Sequence, residues 1–377
     1  MTYLVLALVT LLFLLALWGV WLWLVARHYR PTSDRPQIVK VRTADGWEVT
    51  LHHRPAVKKR YVEPVLLSHG FAANRYTFDF DPPHSLAHAL SEAGFDCYTV
   101  EWRGTGASYQ PPRGRWWGDY SVDDYIRLDA PAVVDAILAH SGARQLYWLG
   151  HSLGALIGYA YAQGPNEPKL RGLLALGAPL FFHFDPLTKV ASKVGALVSL
   201  PVGFRLRVLS VAMAPFLGHV TLPLSDIVVN PQAIPPHLQR KVYANLISSV
   251  SRKVMLQFQD WIANDAFRSY DKSVDYRLGI PELTLPFLVM GGSQDKLAPP
   301  TAVQRQFELV ASPDKSLAIF GPEHGEKLGY GHGDLLYGEN APTEVYPVIQ
   351  RWLEERATKV EEAEPGDGSP ARVDSRP

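Results

Sequence analysis

Cysteine is nearly absent from this chain: Cys97 is the only one in 377 residues. No intrachain disulfide can form, which excludes a small secreted domain held together by disulfides and leaves the redox compartment open. Net charge is missing as well. The 37 Lys and Arg side chains are matched by 37 Asp and Glu, and no basic stripe stands out beyond a short run after the first apolar segment. Nucleic acid is therefore not an expected partner. The sequence has no internal repeats, and no pair of histidines stands at ligand spacing with a carboxylate beside it. A metal hydrolase is not expected, and no cofactor or metal is implied. Cys97 itself lies in the apolar run 95–100 and reads as a small buried hydrophobe in a strand, not as a reactive thiol.

What is present is apolar material, 47% of the chain, enough to build the core of one large domain or two modest ones. Residues 3–26 are almost unbroken apolar sequence with Thr10 the clearest polar interruption, and no Lys or Arg precedes them. As a helix they cross the ~30 Å hydrocarbon core with some tilt. Trp18, Trp21 and Trp23 cluster toward one end, where amphipathic rings favour the interface. The length, the uncharged start and the exit Val25-Ala26-Arg27-His28 argue for a retained anchor over a cleaved signal peptide. Arg27, Arg30, Arg35, Lys40 and Arg42 follow the span against a single acid, Asp34. Positive-inside reasoning then places a catalytic domain in the cytoplasm, on a single-pass membrane protein.

Residues 31–36 read as a linker, and Asp45-Gly46 has the chemistry of a hairpin turn between strands at 38–43 and 47–52. Beyond it, short continuous apolar runs at 65–67, 97–100, 146–149, 170–176, 286–290 and 317–320 suit strands of a parallel sheet. Helical spacing at 85–93, 122–139, 153–162, 302–310 and 345–357 alternates with them, with Pro131 kinking the second helix. The expected fold is α/β: a mostly parallel central sheet with helices on both faces. The alternation lapses from about 183 to 279, where apolar segments and one helical run at 238–267 suggest a helical lid insertion, or else surface helices with no gating role. The expected organisation is an anchor and basic flank at 1–30, a catalytic domain at 31–357 and a disordered tail at 358–377, whose Glu, Pro, Gly, Ser and Asp offer almost nothing to bury.

Gly150-His151-Ser152-Leu153-Gly154 sits between an apolar strand and an apolar helix. A nucleophile elbow needs that context: a strand, a sharp turn that small residues permit, and a helix N-terminus whose positive potential faces a developing oxyanion. Ser152 is the expected nucleophile. The bend His69-Gly70-Phe71 follows an earlier strand, so the main-chain N–H groups of Phe71 and Leu153 are the expected oxyanion hole. His69 precedes the nucleophile and is expected to orient this loop. Asp295, after the strand at 286–290, is placed to hold an imidazole, with capping of the next helix as its alternative role. His324 and His332 both lie in the glycine-rich loop after the last strand, and position alone does not separate them as base.

At these residues the chain resembles the α/β-hydrolase superfamily, and within it the acid-lipase-like branch. The likeness is carried by Glu101-Trp102-Arg103-Gly104-Thr105-Gly106-Ala107-Ser108, by Trp117-Gly118-Asp119-Tyr120-Ser121, by Asp129-Ala130-Pro131-Ala132 and by the approach Leu146-Tyr147-Trp148-Leu149 to the pentapeptide. Gly331-His332-Gly333-Asp334-Leu335-Leu336-Tyr337-Gly338 resembles the lipases' histidine motif, which selects His332 as the base. Leu153 departs from the polar residue those lipases often carry there. The histidine region is also similar to polyhydroxyalkanoate synthases, which use cysteine as nucleophile. The resemblance implies a serine esterase; the apolar segment 3–26 adds a membrane anchor, and the tether suggests apolar or lipid-like acyl esters as substrates. Acyl transfer, as in a polyester synthase, and a catalytically silent scaffold are the alternatives. The apolar stretches 194–201 and 204–220 favour a lipid substrate, although they also read as ordinary core packing.

Overall fold

A computed structural model describes residues 2–32, 36–108, 110–114, 118–182, 206–218 and 225–361. The first element, α1 (Thr2–His28), is long and apolar enough to cross a membrane by length and composition. Most of its side chains are exposed. Its last turns pack on the domain, where Val25 is buried with Val211, Ala214 and Ala244. The exit is tied down twice. The Asn245 side chain donates to the Tyr29 carbonyl at 2.8 Å, and the Thr32 N–H donates to Asp81 Oδ1 at 2.6 Å.

Eight strands form one sheet: β1 (Gln37–Arg42), β2 (Glu48–Arg54), β3 (Val65–Ser68), β4 (Cys97–Glu101), β5 (Leu146–His151), β6 (Leu170–Leu176), β7 (Phe287–Gly292) and β8 (Lys315–Phe320), in the order β1-β2-β4-β3-β5-β6-β7-β8. The β1–β2 and β2–β4 pairs are antiparallel and the others parallel. The hairpin turns at Gly46, whose φ of +85° suits a residue without Cβ. β3, β4, β5 and β7 are buried at every residue, as expected of parallel strands covered on both faces. Trp102, Trp148 and Leu156 belong to the core on one side, and Leu67, Phe320 and Trp352 to the core on the other.

The covering helices are α2 (Leu86–Ala93), α3 (Ala130–Ser141), α4 (Leu153–Tyr161), α8 (Pro300–Leu309) and α9 (Tyr346–Arg356); the insertion contributes α5 (Leu206–Met213), α6 (Pro236–Asn245) and α7 (Arg252–Asn264). Three expectations are corrected. The helix expected over 122–139 is broken by a π-turn at Tyr125–Asp129. Pro131 lacks the N–H that a continuous helix needs, and the wider turn before it lets Asp129 face Arg103. The run at 238–267 is two helices, because the Ser251 hydroxyl accepts from the Val254 N–H at 3.1 Å and donates to the Tyr120 carbonyl, starting a new helix. The tail is ordered at its beginning. Thr358 bonds both oxygens of Glu63, and the Val360 N–H donates to the Arg60 carbonyl, so backbone pairing holds residues that have little to bury. The linker at 33–35, Trp117, the stretch 183–205 (with the apolar run 194–201), 219–224 and the tail at 362–377 lie outside the described residues.

Candidate active site

β5 ends at His151, α4 begins at Leu153, and Ser152 makes the turn between them at φ +55°, ψ −121°. A residue with a Cβ is strained there, at a cost of roughly 1–3 kcal/mol, and persists only where its surroundings dictate it. The flanking glycines explain how. A Cβ on Gly154 would stand 2.0 Å from the Ser68 carbonyl oxygen, and one on Gly150 would stand 2.4 Å from the Ala155 nitrogen. The Ser152 N–H donates to the Leu176 carbonyl at 2.8 Å, which locks the elbow to β6.

The residue after Leu176 reaches the other groups. Gly177 has φ +54°, and a Cβ there would lie 3.2 Å from both Asp295 Oδ2 and His332 Nδ1. Those two atoms are 2.8 Å apart and buried. A carboxylate only accepts, so His332 carries its proton on Nδ1, and Nε2 is left as an acceptor for a hydroxyl. Asp295 Oδ1 accepts from the N–H groups of Leu297 and Ala298, each at 2.8 Å. One carboxylate therefore fixes its own loop with one oxygen and the imidazole with the other, while α8 has Pro299 at its N-cap. The Ser152 hydroxyl has no hydrogen bond among the described residues, and such contacts commonly tighten only with substrate. His324 lies exposed in a short 3₁₀ turn, Pro322–His324.

Two further histidines line the elbow. His151 Nε2 lies 3.0 Å from the His332 carbonyl oxygen. Burial lowers the His151 pKa to about 3, and a proton on His332 would act in the same direction. The neutral ring therefore donates through Nε2. His69 bonds the Gly70 carbonyl through Nδ1 at 2.9 Å and Thr105 Oγ1 through Nε2 at 3.3 Å, and burial lowers its pKa to about 4. It holds the loop that carries Phe71. The Phe71 amide has no acceptor among the described residues, and Leu153, first in α4, has none within its helix. Gly70 lies against Ser152: a Cβ there would stand 3.0 Å from Ser152 Cβ.

Groups outside the expected set brace the site. Asp334 accepts from the Gly331 N–H at 2.8 Å and the Asn230 N–H at 3.1 Å, which ties the His332 loop to the insertion, and burial raises its pKa to about 6. Buried Arg103 bonds Asp129 and Asp45 behind the Gly104–Gly106 turn. The motifs contained these residues, but the bonds to Asp129, Asp45 and Asn230 span 26 to 104 positions. A cavity of about 520 Å³ borders that turn and is lined by His52, Glu101 and Arg75, with none of Ser152, Asp295 or His332 in its wall. Cys97 is buried and burial pushes its thiol pKa up, so it offers no nucleophile. Among the described residues no group of three or more His, Cys, Asp or Glu could hold a metal ion.

The eight-stranded, mostly parallel sheet in this order, with the strand–turn–helix at Ser152, is the α/β-hydrolase fold, which this chain has. A sequence profile of the alpha/beta hydrolase fold family matches residues 63–210. Within that fold the chain resembles the acid lipases. It is 26% identical to gastric triacylglycerol lipase of Rattus norvegicus over 351 residues, covering 82% of this chain and 86% of that one. It is 25% identical to the poly(3-hydroxyalkanoate) polymerase subunit PhaC of Haloferax mediterranei over 351 residues, covering 86% and 66%. A soluble variant of monoglyceride lipase from Saccharomyces cerevisiae shares the fold at a TM-score of 0.59 and 20% identity, over 88% of this chain and 98% of that one.

Proposed function

We propose that this protein is a carboxylic ester hydrolase with Ser152 as nucleophile, His332 as general base and acid, and Asp295 as the group that orients the imidazole. The observation that carries this reading is the Asp295–His332 pair, 2.8 Å apart beside Gly177, which follows the residue whose carbonyl takes the N–H of Ser152, itself at φ +55°. His332 Nε2 takes the Ser152 proton as Oγ attacks the ester carbonyl, and Asp295 stabilises the resulting imidazolium. The N–H groups of Phe71 and Leu153 hold the tetrahedral oxyanion. Collapse expels the alcohol, which takes the proton from His332. Water then attacks the acyl-enzyme with His332 again as base, and the carboxylic acid leaves.

Similarity to lipases and an apolar N-terminal helix support a lipid-like acyl substrate and attachment to a membrane by α1, with residues 1–30 as anchor and the catalytic domain following. The basic flank supports a cytoplasmic domain. The test is hydrolysis of p-nitrophenyl esters by the purified full-length chain. Ser152→Ala is expected to lose at least ~10⁴-fold in kcat while keeping its fold; a variant as active as wild type defeats the assignment. The likeness to a polymerase subunit favours acyl transfer as a second reading, distinguished by analysing products in the presence of alcohol acceptors. A catalytically silent scaffold predicts no labelling of Ser152 by a fluorophosphonate.

A further inference from the structure

The C-terminal half of α1 does not stand clear of the domain. Leu14, Leu17, Trp18 and Trp21 face Ala212, Met213 and Phe216 across a gap of about 420 Å³, and the Trp21 and Phe216 rings lie 6.3 Å apart. At ~1.5 Å per residue, Trp21 stands ~9 Å and Leu14 ~20 Å along the helix from Arg27, the first charge. Half of a hydrocarbon core is ~15 Å. With α1 across a bilayer, α5 and the turn after it therefore lie at the depth of the acyl chains, from the domain-side leaflet to about the midplane. Leu209 and Phe216, 55% and 50% exposed, suit that place, while exposed Arg207 and Val208 at the start of α5 line the cavity of about 520 Å³ beside Arg75 and Glu101.

A second cavity, about 430 Å³, lies on the domain side of α5. That size falls within the ~300–1,000 Å³ of ligand pockets. Its wall is almost wholly carbon, from Leu206, Leu209, Met213, Leu217 and Ile247, and it ends at Ala72. Met213 borders both spaces, the one against α1 and the one against Ala72. Ala72 is the neighbour of Phe71, and its carbonyl accepts from the Ser248 N–H at 2.7 Å, so this end of the cavity is fixed to the oxyanion loop.

We propose that α5 is immersed in the leaflet and that this cavity receives the acyl chain of a bilayer-resident ester, which enters sideways past Met213 and brings its carbonyl to the Phe71 loop without passing through water. The proposal rests on the readings of α1 as a span and Ser152 as the nucleophile. It names the substrate class as esters whose acyl chain is already dissolved in the membrane.

The test uses the full-length protein in phosphatidylcholine vesicles with two substrates: a fluorogenic oleate ester dissolved in the vesicles and water-soluble p-nitrophenyl acetate. Met213→Trp narrows the shared wall and is expected to lower the rate ratio of oleate to acetate tenfold or more, with fluorophosphonate labelling retained. In parallel, Leu209→Cys carrying an environment-sensitive fluorophore is expected to be quenched by lipids bearing nitroxides on their chains. An unchanged ratio in a labelled Met213→Trp protein, or a residue-209 probe that reports water, overturns the proposal. The depth probe decides by itself if Met213→Trp does not fold. Wild-type protein that hydrolyses neither ester would defeat the reading of the site instead, and that outcome is distinct from both.

Discussion

His151 donates its Nε2–H to the main-chain carbonyl of His332 across 3.0 Å, so the residue before Ser152 holds the backbone of His332. The contact joins positions 181 apart and faces the ring of His332 at a centroid distance of 4.7 Å. His151→Leu removes the donor and leaves a buried carbonyl unpaired, which costs ~1–3 kcal/mol. The expected result is a 10- to 100-fold lower kcat with KM little changed, since an imidazole displaced by ~1 Å spoils the reaction more than it spoils binding. His151→Gln, which can still donate, should recover most of the loss. Steady-state kinetics on the three proteins check this.

Stability should fall in mild acid, and two variants should move the effect in opposite directions. His69 and His151 have folded pKa values lowered to about 4 and about 3, against ~6.5 when unfolded. As pH falls below ~6.5, the unfolded chain binds protons that the folded one refuses, so stability is lost at up to ~2.7 kcal/mol per pH unit for the two groups. Asp334, raised to about 6, works the other way, because the folded state binds its proton first. In denaturant titrations at pH 7 and pH 5, His151→Gln should lose less stability than wild type on acidification, and Asp334→Asn should lose more.

Gly177→Ala adds one methyl group at φ +54°, 3.2 Å from both Asp295 Oδ2 and His332 Nδ1. Backbone strain and crowding act together on the hydrogen-bonded pair. Ester hydrolysis should fall about 100-fold or more while far-UV circular dichroism stays that of wild type. Full activity in this variant would mean that the pair tolerates displacement.

Arg103→Met leaves Asp129 fully buried without its counter-charge, since the guanidinium bonds Asp129 at 2.6 and 2.9 Å. Breaking a buried pair from one side costs ~3–5 kcal/mol. The thermal midpoint should drop accordingly. Arg103→Lys should fall between the two, because it keeps the charge and loses the fork that also reaches Asp45.

The parts of this molecule legible in its sequence are those written locally. The elbow announces itself because strand, small-residue turn and helix are consecutive, and the turn tolerates no Cβ at Gly150 or Gly154. The order of Ser152, Asp295 and His332 along the chain follows from where the strands end. What escaped the sequence depends on partners far away. Asp334 meets Asn230, Ser251 meets Tyr120 and Thr358 meets Glu63 across 104, 131 and 295 positions. No window of neighbouring residues contains such pairs. The docking of α1 on α5 belongs to the same class, since a uniformly apolar helix gives no sign of which side is covered.

The fastening of the α1 exit has a kinetic consequence for the proposed membrane attachment. Between the Tyr29 carbonyl held by Asn245 and the Thr32 amide held by Asp81 there are only two residues. With α1 in a bilayer as proposed, a domain tethered that closely would keep a fixed height and face toward the lipid, and its encounters with a bilayer-resident ester would occur by diffusion in two dimensions. Its rate should follow the mole fraction of ester in the lipid, falling as inert lipid is added at constant bulk substrate.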